Sequence, residues 1–214
     1  MAELVLSGAV TVVTGAGRGI GAAIAHRFAL AGSDLVLAAR RDEDLERVAT
    51  GVRDAGRDAL TVVADMTDPA SPGRLVEETL ARFGQLDVLV NNAGGAAPTP
   101  FLDTTPDQRD EAFHFNVAAS FALTKRAVPH LLDSGRASVV NIGSRMDRLV
   151  ARGLLTYGTV KAAMSHMTRL LAAELAPRIW PRPRRATSPA RSSSSTAARR
   201  HRCSRMPRRT LTAR

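Results

Sequence analysis

The only tyrosine of the 214-residue chain, Tyr157, stands four residues before Lys161. Residues four apart lie on the same face of an α-helix, so this spacing places a phenol beside an ammonium group. A phenol ionises at about pH 10 and transfers protons poorly near neutrality unless a neighbouring cation stabilises its anion. We therefore expect Tyr157 to act as a proton donor or acceptor.

A glycine-rich turn lies far upstream of this pair. Residues 14–21 read Thr-Gly-Ala-Gly-Arg-Gly-Ile-Gly, after a short β-branched run and before a stretch with helical spacing. Glycines here allow a tight turn and a close approach of a dinucleotide pyrophosphate to the helix N-terminus, where the helix dipole favours an anion. A turn without a ligand is the alternative. Together with the phenol and the ammonium, the turn indicates hydride transfer.

Strands and helices alternate over the first 176 residues. The pattern predicts strands over 9–13, 35–39, 60–63, 86–90 and 138–142, and helices over 20–31, 42–55, 71–83, 106–132 and 157–176. Strands that lack period-two alternation and are separated by helices predict a parallel sheet buried on both faces. The expected fold class is a doubly wound α/β sheet in a single domain, residues 1–176.

Polar residues follow the predicted strands at their carboxyl ends. Asp65 follows the third strand, residues 91–94 follow the fourth, and Ser144 follows the fifth. A doubly wound sheet binds its ligand in the crevice beyond these ends, so we expect the residues to share one site.

Two arginines bear on the choice of cofactor. Arg40 ends the second strand, where a carboxylate would bind the ribose 2′-hydroxyl of NAD, and Arg18 lies in the glycine turn. Guanidinium groups instead favour a 2′-phosphate, so the sequence predicts NADP. The alternative is that Arg40 and Arg41 are solvated loop residues and the cofactor is NAD.

Taken in order over residues 5 to 176, these motifs resemble the short-chain dehydrogenase/reductase family, in particular its 3-oxoacyl-ACP reductases. The resemblance implies a Rossmann-like fold and a catalytic tetrad of Asn116, Ser144, Tyr157 and Lys161. It also implies that Asp65 contacts adenine, and that Asn116 kinks its helix and binds a water that carries protons to the lysine. Taken singly, Ser144 could instead cap a helix, Asn116 could be a surface amide, and Lys161 a solvated charge.

The cofactor contacts expected from the turn and the resemblance come from every part of the crevice. They are Thr14, Gly15, Gly17, Arg18, Gly19, Ile20, Gly21, Arg40, Asp65, Met66, Asn92, Ala93, Gly94, Tyr157 and Lys161.

The net charge of +10 resides in the last 38 residues. Of the 30 Lys and Arg side chains, 12 are arginines in residues 177–214, which contain no acidic residue, so residues 1–176 carry 18 basic and 20 acidic side chains. This tail, rich in Arg, Pro, Ser and Ala, is expected to be disordered. Nucleic-acid binding by the tail is the weaker alternative, because the aromatic platforms and lysines common in such tails are missing.

The tail also replaces what the family resemblance leads one to expect, a sixth strand, a substrate-covering loop and a seventh strand. Prolines alternating with arginines after Ile179 do not suit a central strand, so we expect the last strands to be missing. We interpret the tail as a product of a shifted reading frame, which resequencing around the Ile179 and Trp180 codons would test.

Other features limit the function classes. There is no apolar run of membrane-spanning length and no signal-like start, which predicts a cytoplasmic protein. The single cysteine, Cys203, and the scattered histidines indicate no metal site. The expected function is an NADP-dependent oxidoreductase that interconverts a ketone and a secondary alcohol. A homologue that binds cofactor without turnover is the alternative, and homo-oligomers built on the helices at 106–132 and 157–176 are expected.

Overall fold

The computed structural model describes residues 5–179 of the chain. Its centre is one parallel sheet, with strands β1 (Val10–Thr14), β2 (Asp34–Ala39), β3 (Ala59–Val63), β4 (Val88–Asn91) and β5 (Ser138–Asn141). The spatial order is β3-β2-β1-β4-β5, so the strand order reverses between β3 and β4. At such a reversal the two connections leave β1 and β4 on opposite sides, which opens a crevice at their carboxyl ends.

The helices connect and cover these strands. They are α1 (Gly19–Leu30), α2 (Asp42–Asp54), α3 (Ser71–Phe83), α4 (Pro106–Phe113), a π-helical turn (His114–Ala118), α5 (Ala119–Asp133) and α6 (Leu155–Ile179), with 3₁₀ turns at Phe101–Asp103 and Arg145–Asp147. Among the residues that the structure describes, no helix is both long and apolar enough to cross a membrane.

The three central strands β1, β2 and β4 are buried almost completely, whereas the edge strands β3 and β5 are only partly buried. All five residues of β1 are buried. One apolar cluster joins the sheet to α1 and α2, a second joins it to α3 and α5, and a small third cluster lies between α4, the π turn and α6. Close packing around the central strands makes the sheet a rigid support for residues at its carboxyl edge.

The predicted doubly wound parallel sheet is confirmed, and most element ends agree within two or three residues. The predicted helix over 106–132 is present over 106–133, but a π turn interrupts it. Helix α6 continues to Ile179, beyond its predicted end at residue 176. The predicted disorder of the tail and the expected loss of the last strands concern residues outside the described range, apart from 177–179.

Candidate active site

A groove of about 840 Å³ runs across the carboxyl ends of the strands. Every connection that leaves this edge of the sheet contributes to its walls. The lining includes Gly15, Gly17, Arg18, Gly19, Ile20, Arg40, Asp65, Met66, Asn92, Ala93, Gly94, Gly143, Tyr157 and Lys161. The glycine turn and the Tyr157 helix, far apart in sequence, therefore face one cavity.

The glycine turn brings the backbone of α1 against the end of β1. Gly15 and Gly19 have positive φ angles of 62° and 57°, which residues with a Cβ rarely adopt. A Cβ at Gly21 would lie 2.3 Å from the carbonyl oxygen of Gly15. No side chain caps the N-terminus of α1, so the first amides of this 12-residue helix face the groove without a side-chain acceptor. These amides and the open space at Gly19 fit a pyrophosphate.

Asn92, on the loop after β4, holds the glycine turn in place. Its Nδ2 donates to the carbonyls of Thr14 (2.9 Å) and Gly15 (3.1 Å). In return the Thr14 hydroxyl oxygen accepts from the backbone N–H groups of Asn92 and Ala93, both at 3.0 Å, and the hydroxyl donates to Val90 O. Thr14 thus lies beneath the groove as a support.

The two arginines at the end of β2, Arg40 and Arg41, differ in their ion pairing within residues 5–179. Arg41 pairs with Asp44, whose other carboxylate oxygen accepts from Arg47 at 2.6 Å. The hydrogen bond from Arg47, followed by the charges of both arginines, lowers the pKa of Asp44 below its usual value. Arg40 forms no ion pair within residues 5–179, is exposed and lines the groove. Its guanidinium is available to an anionic ligand.

Asp65 follows β3 and is fixed by a local turn. Its Oδ1 accepts from the backbone N–H of Thr67 at 2.9 Å and from the Thr67 hydroxyl at 2.8 Å. The backbone bond first, then the hydroxyl bond and the nearby charge of Arg40, lower the pKa of Asp65. The carboxylate is therefore ionised at the groove wall, with its other oxygen open to a ligand.

Lys161 is buried beside the phenol. The residue is only 4% exposed, and its Nζ donates to the carbonyl of Ile142 at 3.0 Å. The same Nζ lies 5.8 Å from the centroid of the Tyr157 ring, within the range of a cation–π contact. Burial lowers the pKa of Lys161, because desolvation disfavours its charged form. The hydroxyl of the half-buried Tyr157 forms no hydrogen bond within the described range, which leaves it to a ligand.

Asn116 lies in the π turn, fully buried behind the groove. Its Nδ2 donates to the carbonyls of Gly95 and Ala112, each at 2.8 Å, and its Oδ1 accepts from the Gly95 N–H at 2.9 Å. A Cβ at Gly94 would lie 2.6 Å from Asn116 Oδ1 and 3.4 Å from Lys161 Nζ, so only glycine fits there. The amide of Asn116 clamps the loop after β4, and its role in a proton relay stays a prediction.

Ser144 follows β5 and begins the 3₁₀ turn at Arg145–Asp147. Its hydroxyl oxygen accepts from the Met146 N–H at 3.2 Å, so the serine does cap a short helical turn. The hydroxyl hydrogen has no acceptor among residues 5–179, so the cap leaves it able to donate. Ser144 itself does not line the groove, whereas Gly143 does. Four of the expected site residues thus support the groove from behind or beside it: Thr14, Gly21, Asn116 and Ser144.

The sequence prediction missed several supports of the site. Asp44 lines the groove and is clamped by two arginines, and Asp147 accepts from the Ser165 hydroxyl at 2.8 Å, which ties the turn after Ser144 to α6. Gly158 permits this approach, because a Cβ there would lie 3.0 Å from the carbonyl of Met146. Charge pairing at 41, 44 and 47 was a readable local signal, whereas the Asp147 contact had none.

A parallel sheet with a glycine turn at its switch point and a cation-flanked phenol across the same groove defines a dinucleotide-binding α/β protein. The chain matches the family model for short chain dehydrogenase over residues 9–179. It belongs to the short-chain dehydrogenase/reductase family, as the motifs predicted.

Its curated relatives are named oxidoreductases, reductases and dehydrogenases. An uncharacterized oxidoreductase of Mycobacterium tuberculosis is 49% identical over 171 residues, which cover 79% of this chain and 65% of the relative. A versicolorin reductase of Emericella nidulans is 34% identical, covering 78% of this chain and 63% of the relative. The chain thus spans just under two thirds of the length of these relatives.

Solved structures give the same fold. A 7α-hydroxysteroid dehydrogenase in complex with NADH and 7-oxo glycochenodeoxycholic acid superposes with a TM-score of 0.79 at 31% identity, covering 82% of this chain and 69% of that one. An NAD⁺-bound xylitol dehydrogenase gives a TM-score of 0.78 at 31% identity, covering 81% and 67%.

Proposed function

We propose that the protein is an NADP(H)-dependent oxidoreductase that interconverts a ketone and a secondary alcohol. The observation that supports this function is the placement of Tyr157 and Lys161 in the same groove as the glycine turn. Among relatives and structural neighbours are a versicolorin reductase and dehydrogenases of a hydroxysteroid and of xylitol, whose names agree with chemistry at a hydroxyl-bearing carbon. Their substrates differ too much to indicate which one this chain takes.

The cofactor would lie along the groove. Amides at the start of α1 would hold the pyrophosphate, Asp65 the adenine, and Lys161 the nicotinamide ribose. When bound, the nicotinamide donates or accepts the hydride at the substrate carbon. The protein's own part is to hold the carbonyl carbon near the nicotinamide and to exchange a proton with the substrate oxygen.

Tyr157 would perform that proton exchange. In reduction its hydroxyl donates a proton to the carbonyl oxygen as the hydride reaches the carbon, and in oxidation the phenolate takes the proton from the alcohol. The buried ammonium of Lys161 would stabilise the phenolate electrostatically, and its contact with the aromatic ring keeps the two groups together. The hydroxyl of Ser144 would donate a hydrogen bond to the substrate oxygen where negative charge develops.

Replacing the phenol tests the reaction directly. Tyr157→Phe removes only the hydroxyl, so turnover of NADPH with a panel of 3-oxoacyl thioesters, steroids and simple ketones should fall about 1,000-fold. NADPH binding, followed by the enhancement of its fluorescence, should persist. Equal turnover in the variant would refute the role of Tyr157. Binding by the wild-type chain without turnover of any ketone would favour the alternative, a homologue that binds cofactor but performs no reaction.

The preference for NADP is supported by positive charge that is unpaired within the described residues, and by paired negative charge, at the end of β2. Arg40 and Arg18 are exposed in the groove wall, whereas the carboxylate of Asp44 is engaged by two other arginines and is poorly placed to accept from a ribose hydroxyl. The two cofactor complexes above contain NADH and NAD⁺, so NAD is the competing choice.

Arg40→Ala should distinguish these cofactors. Loss of a charge-assisted hydrogen bond to a 2′-phosphate should weaken NADPH binding about tenfold and leave NADH binding unchanged. Arg41→Ala is the matched control, because Arg41 is already paired with Asp44, and its effect should be smaller. If Arg40→Ala weakens both cofactors equally, the 2′-phosphate assignment is wrong.

Self-association is supported by aromatic and aliphatic side chains that are exposed on α4, α5 and α6. Phe113, Phe121 and Leu170 are each about half exposed, at 47%, 49% and 52%. Such side chains on neighbouring helices suit a homo-oligomer contact. Sedimentation equilibrium of the full chain would show a monomer if this expectation is wrong.

A further inference from the structure

Asn141, the last residue of β5, joins three elements through its side chain. Its Oδ1 accepts from Asn91 Nδ2 of β4 at 2.8 Å, and its own Nδ2 donates to the hydroxyl oxygen of Thr168 on α6 at 2.9 Å. None of the chemistry above uses Asn141 or Thr168. Asn141 is nevertheless followed directly by Ile142, which lines the groove.

The backbone of Ile142, the residue after Asn141, anchors Lys161. The N–H of Ile142 donates to the carbonyl of Asn91 at 2.9 Å, and the carbonyl of Ile142 accepts from Lys161 Nζ at 3.0 Å. The position of the ammonium therefore depends on where Ile142 lies relative to α6.

Thr168 provides a second tie between β5 and α6. It stands seven residues after Lys161, which is two helical turns or about 10 Å along the same face. Its hydroxyl donates to the Met164 carbonyl at 2.8 Å, so its oxygen can only accept from Asn141. Two ties on one face fix its rotation as well as its distance.

The direction of these hydrogen bonds is set by the helices. The hydroxyl of Thr124 on α5 also donates within its own helix, to the Ser120 carbonyl at 2.7 Å, and accepts from Asn91 Nδ2 at 3.0 Å. Asn91 must donate at both contacts, and its buried Oδ1 has no partner among residues 5–179. Leaving a buried acceptor unmatched costs free energy, which the two donated bonds offset.

We propose that Asn141 and Thr168 are positioning residues that hold the ammonium of Lys161 in place by locking α6 to the end of β5. The hold on Lys161 is a property of these side chains alone, and its consequence for turnover rests on the proposed function.

The chain offers a direct readout, because it contains two lysines, the buried Lys161 and the exposed Lys125. Limiting amine acylation of the full chain without cofactor, quantified by mass spectrometry, gives the labelling of Lys161 relative to Lys125. Thr168→Val keeps the shape of the side chain and removes its acceptor. We expect this variant to raise the Lys161 to Lys125 ratio about fivefold, the effect of losing one partly buried hydrogen bond. Thr168→Ser keeps the hydroxyl and should retain the wild-type ratio.

Thr11→Val is the matched control. It removes the buried hydrogen bond between the hydroxyls of Thr11 and Ser33, 2.8 Å apart, at the opposite end of the strands. This control should leave the ratio unchanged. An equal rise in Thr11→Val and Thr168→Val would assign the effect to global stability and overturn the proposal. So would a wild-type ratio in Thr168→Val.

Turnover provides an independent second measurement. Thr168→Val should lower kcat about fivefold and leave the KM for NADPH unchanged, and Thr168→Ser should restore kcat. If no ketone is turned over by any variant, the proposed function fails. The labelling ratio still shows whether Thr168 holds Lys161 in place.

Discussion

The two walls of the groove are built by different means. The glycine turn, residues 14–21, is shaped mainly by backbone atoms and by missing side chains, since a Cβ added at Gly21 would lie 2.3 Å from the Gly15 carbonyl oxygen. The opposite wall, formed by β4, β5 and α6, is held by side-chain amides and hydroxyls such as Asn116, Asn141 and Thr168. The first wall has no room for a Cβ at Gly15, Gly17 or Gly21. The second is sensitive to the loss of a donor or acceptor.

Adding one methyl group at Gly21 should have the largest effect on stability. In Gly21→Ala the new Cβ would meet the Gly15 carbonyl and Asn92 Nδ2 (2.6 Å), neither of which can move without opening the turn. We expect a loss of about 3 kcal/mol in the free energy of unfolding and loss of NADPH binding.

Gly51→Ala is the control for the Gly21 variant. Gly51 lies in α2 with open space around its Cβ position, so alanine there should stabilise the protein by about 0.5–1 kcal/mol. Urea unfolding measures both variants. An unchanged urea midpoint in Gly21→Ala would mean that the turn is not limited by backbone contact.

Removing a clamp from the opposite wall should have a smaller effect on folding. Asn116→Ala leaves the N–H and carbonyl of Gly95 and the carbonyl of Ala112 without their side-chain partner. Unpaired buried groups should cost about 2 kcal/mol, and turnover should fall because the loop beside Lys161 loosens.

Gln108→Ala is the matched amide control on the same helical segment. Gln108 is exposed and completes a capping box with Thr105, so its loss should cost about 0.5 kcal/mol. Equal destabilisation by the two variants would contradict a special role for Asn116 in this wall.

The smallest expected effect is the pH dependence of stability that Lys161 causes. Burial lowers the pKa of Lys161 below the reference value of 10.5, and the groups that face its ammonium are the Ile142 carbonyl and the Tyr157 ring. Between the lowered pKa and the reference value the unfolded chain binds more protons than the folded one. The free energy of unfolding therefore rises with pH in that window.

Comparison of wild type with Lys161→Met isolates the contribution of Lys161 to the pH dependence of stability. The difference in the free energy of unfolding should shift in favour of wild type as the pH rises from neutral toward 10.5, as urea titrations at several pH values would record. Lys125→Met, which removes an exposed lysine, should show no such slope. A difference independent of pH would mean that Lys161 is not desolvated.

Local patterns predicted the features formed by neighbours along the chain far better than the contacts between distant residues. The glycine turn and the Tyr157–Lys161 pair are readable because their residues are neighbours along the chain, and α3 has its predicted ends, Ser71–Phe83. The contact between Asn141 and Thr168 joins residues 27 apart, and that between Asn92 and Thr14 joins residues 78 apart. No local periodicity encodes such pairs, since they exist only after the sheet has brought the strands together.

The π turn also determines how one long helix serves two packing partners. Ala112 and Leu123 are eleven residues apart, a separation that spans about three turns of a regular α-helix and would align them on one stripe. Ala112 instead packs toward α6 and Leu123 toward the sheet, in different apolar clusters. The widened turn absorbs one residue. Deleting a single residue between 114 and 118 would therefore keep the buried faces of α4 and α5 in their present orientations. Converting the π turn to regular α-helix at constant length would instead rotate α5 by about 100° and turn its apolar stripe away from the strands.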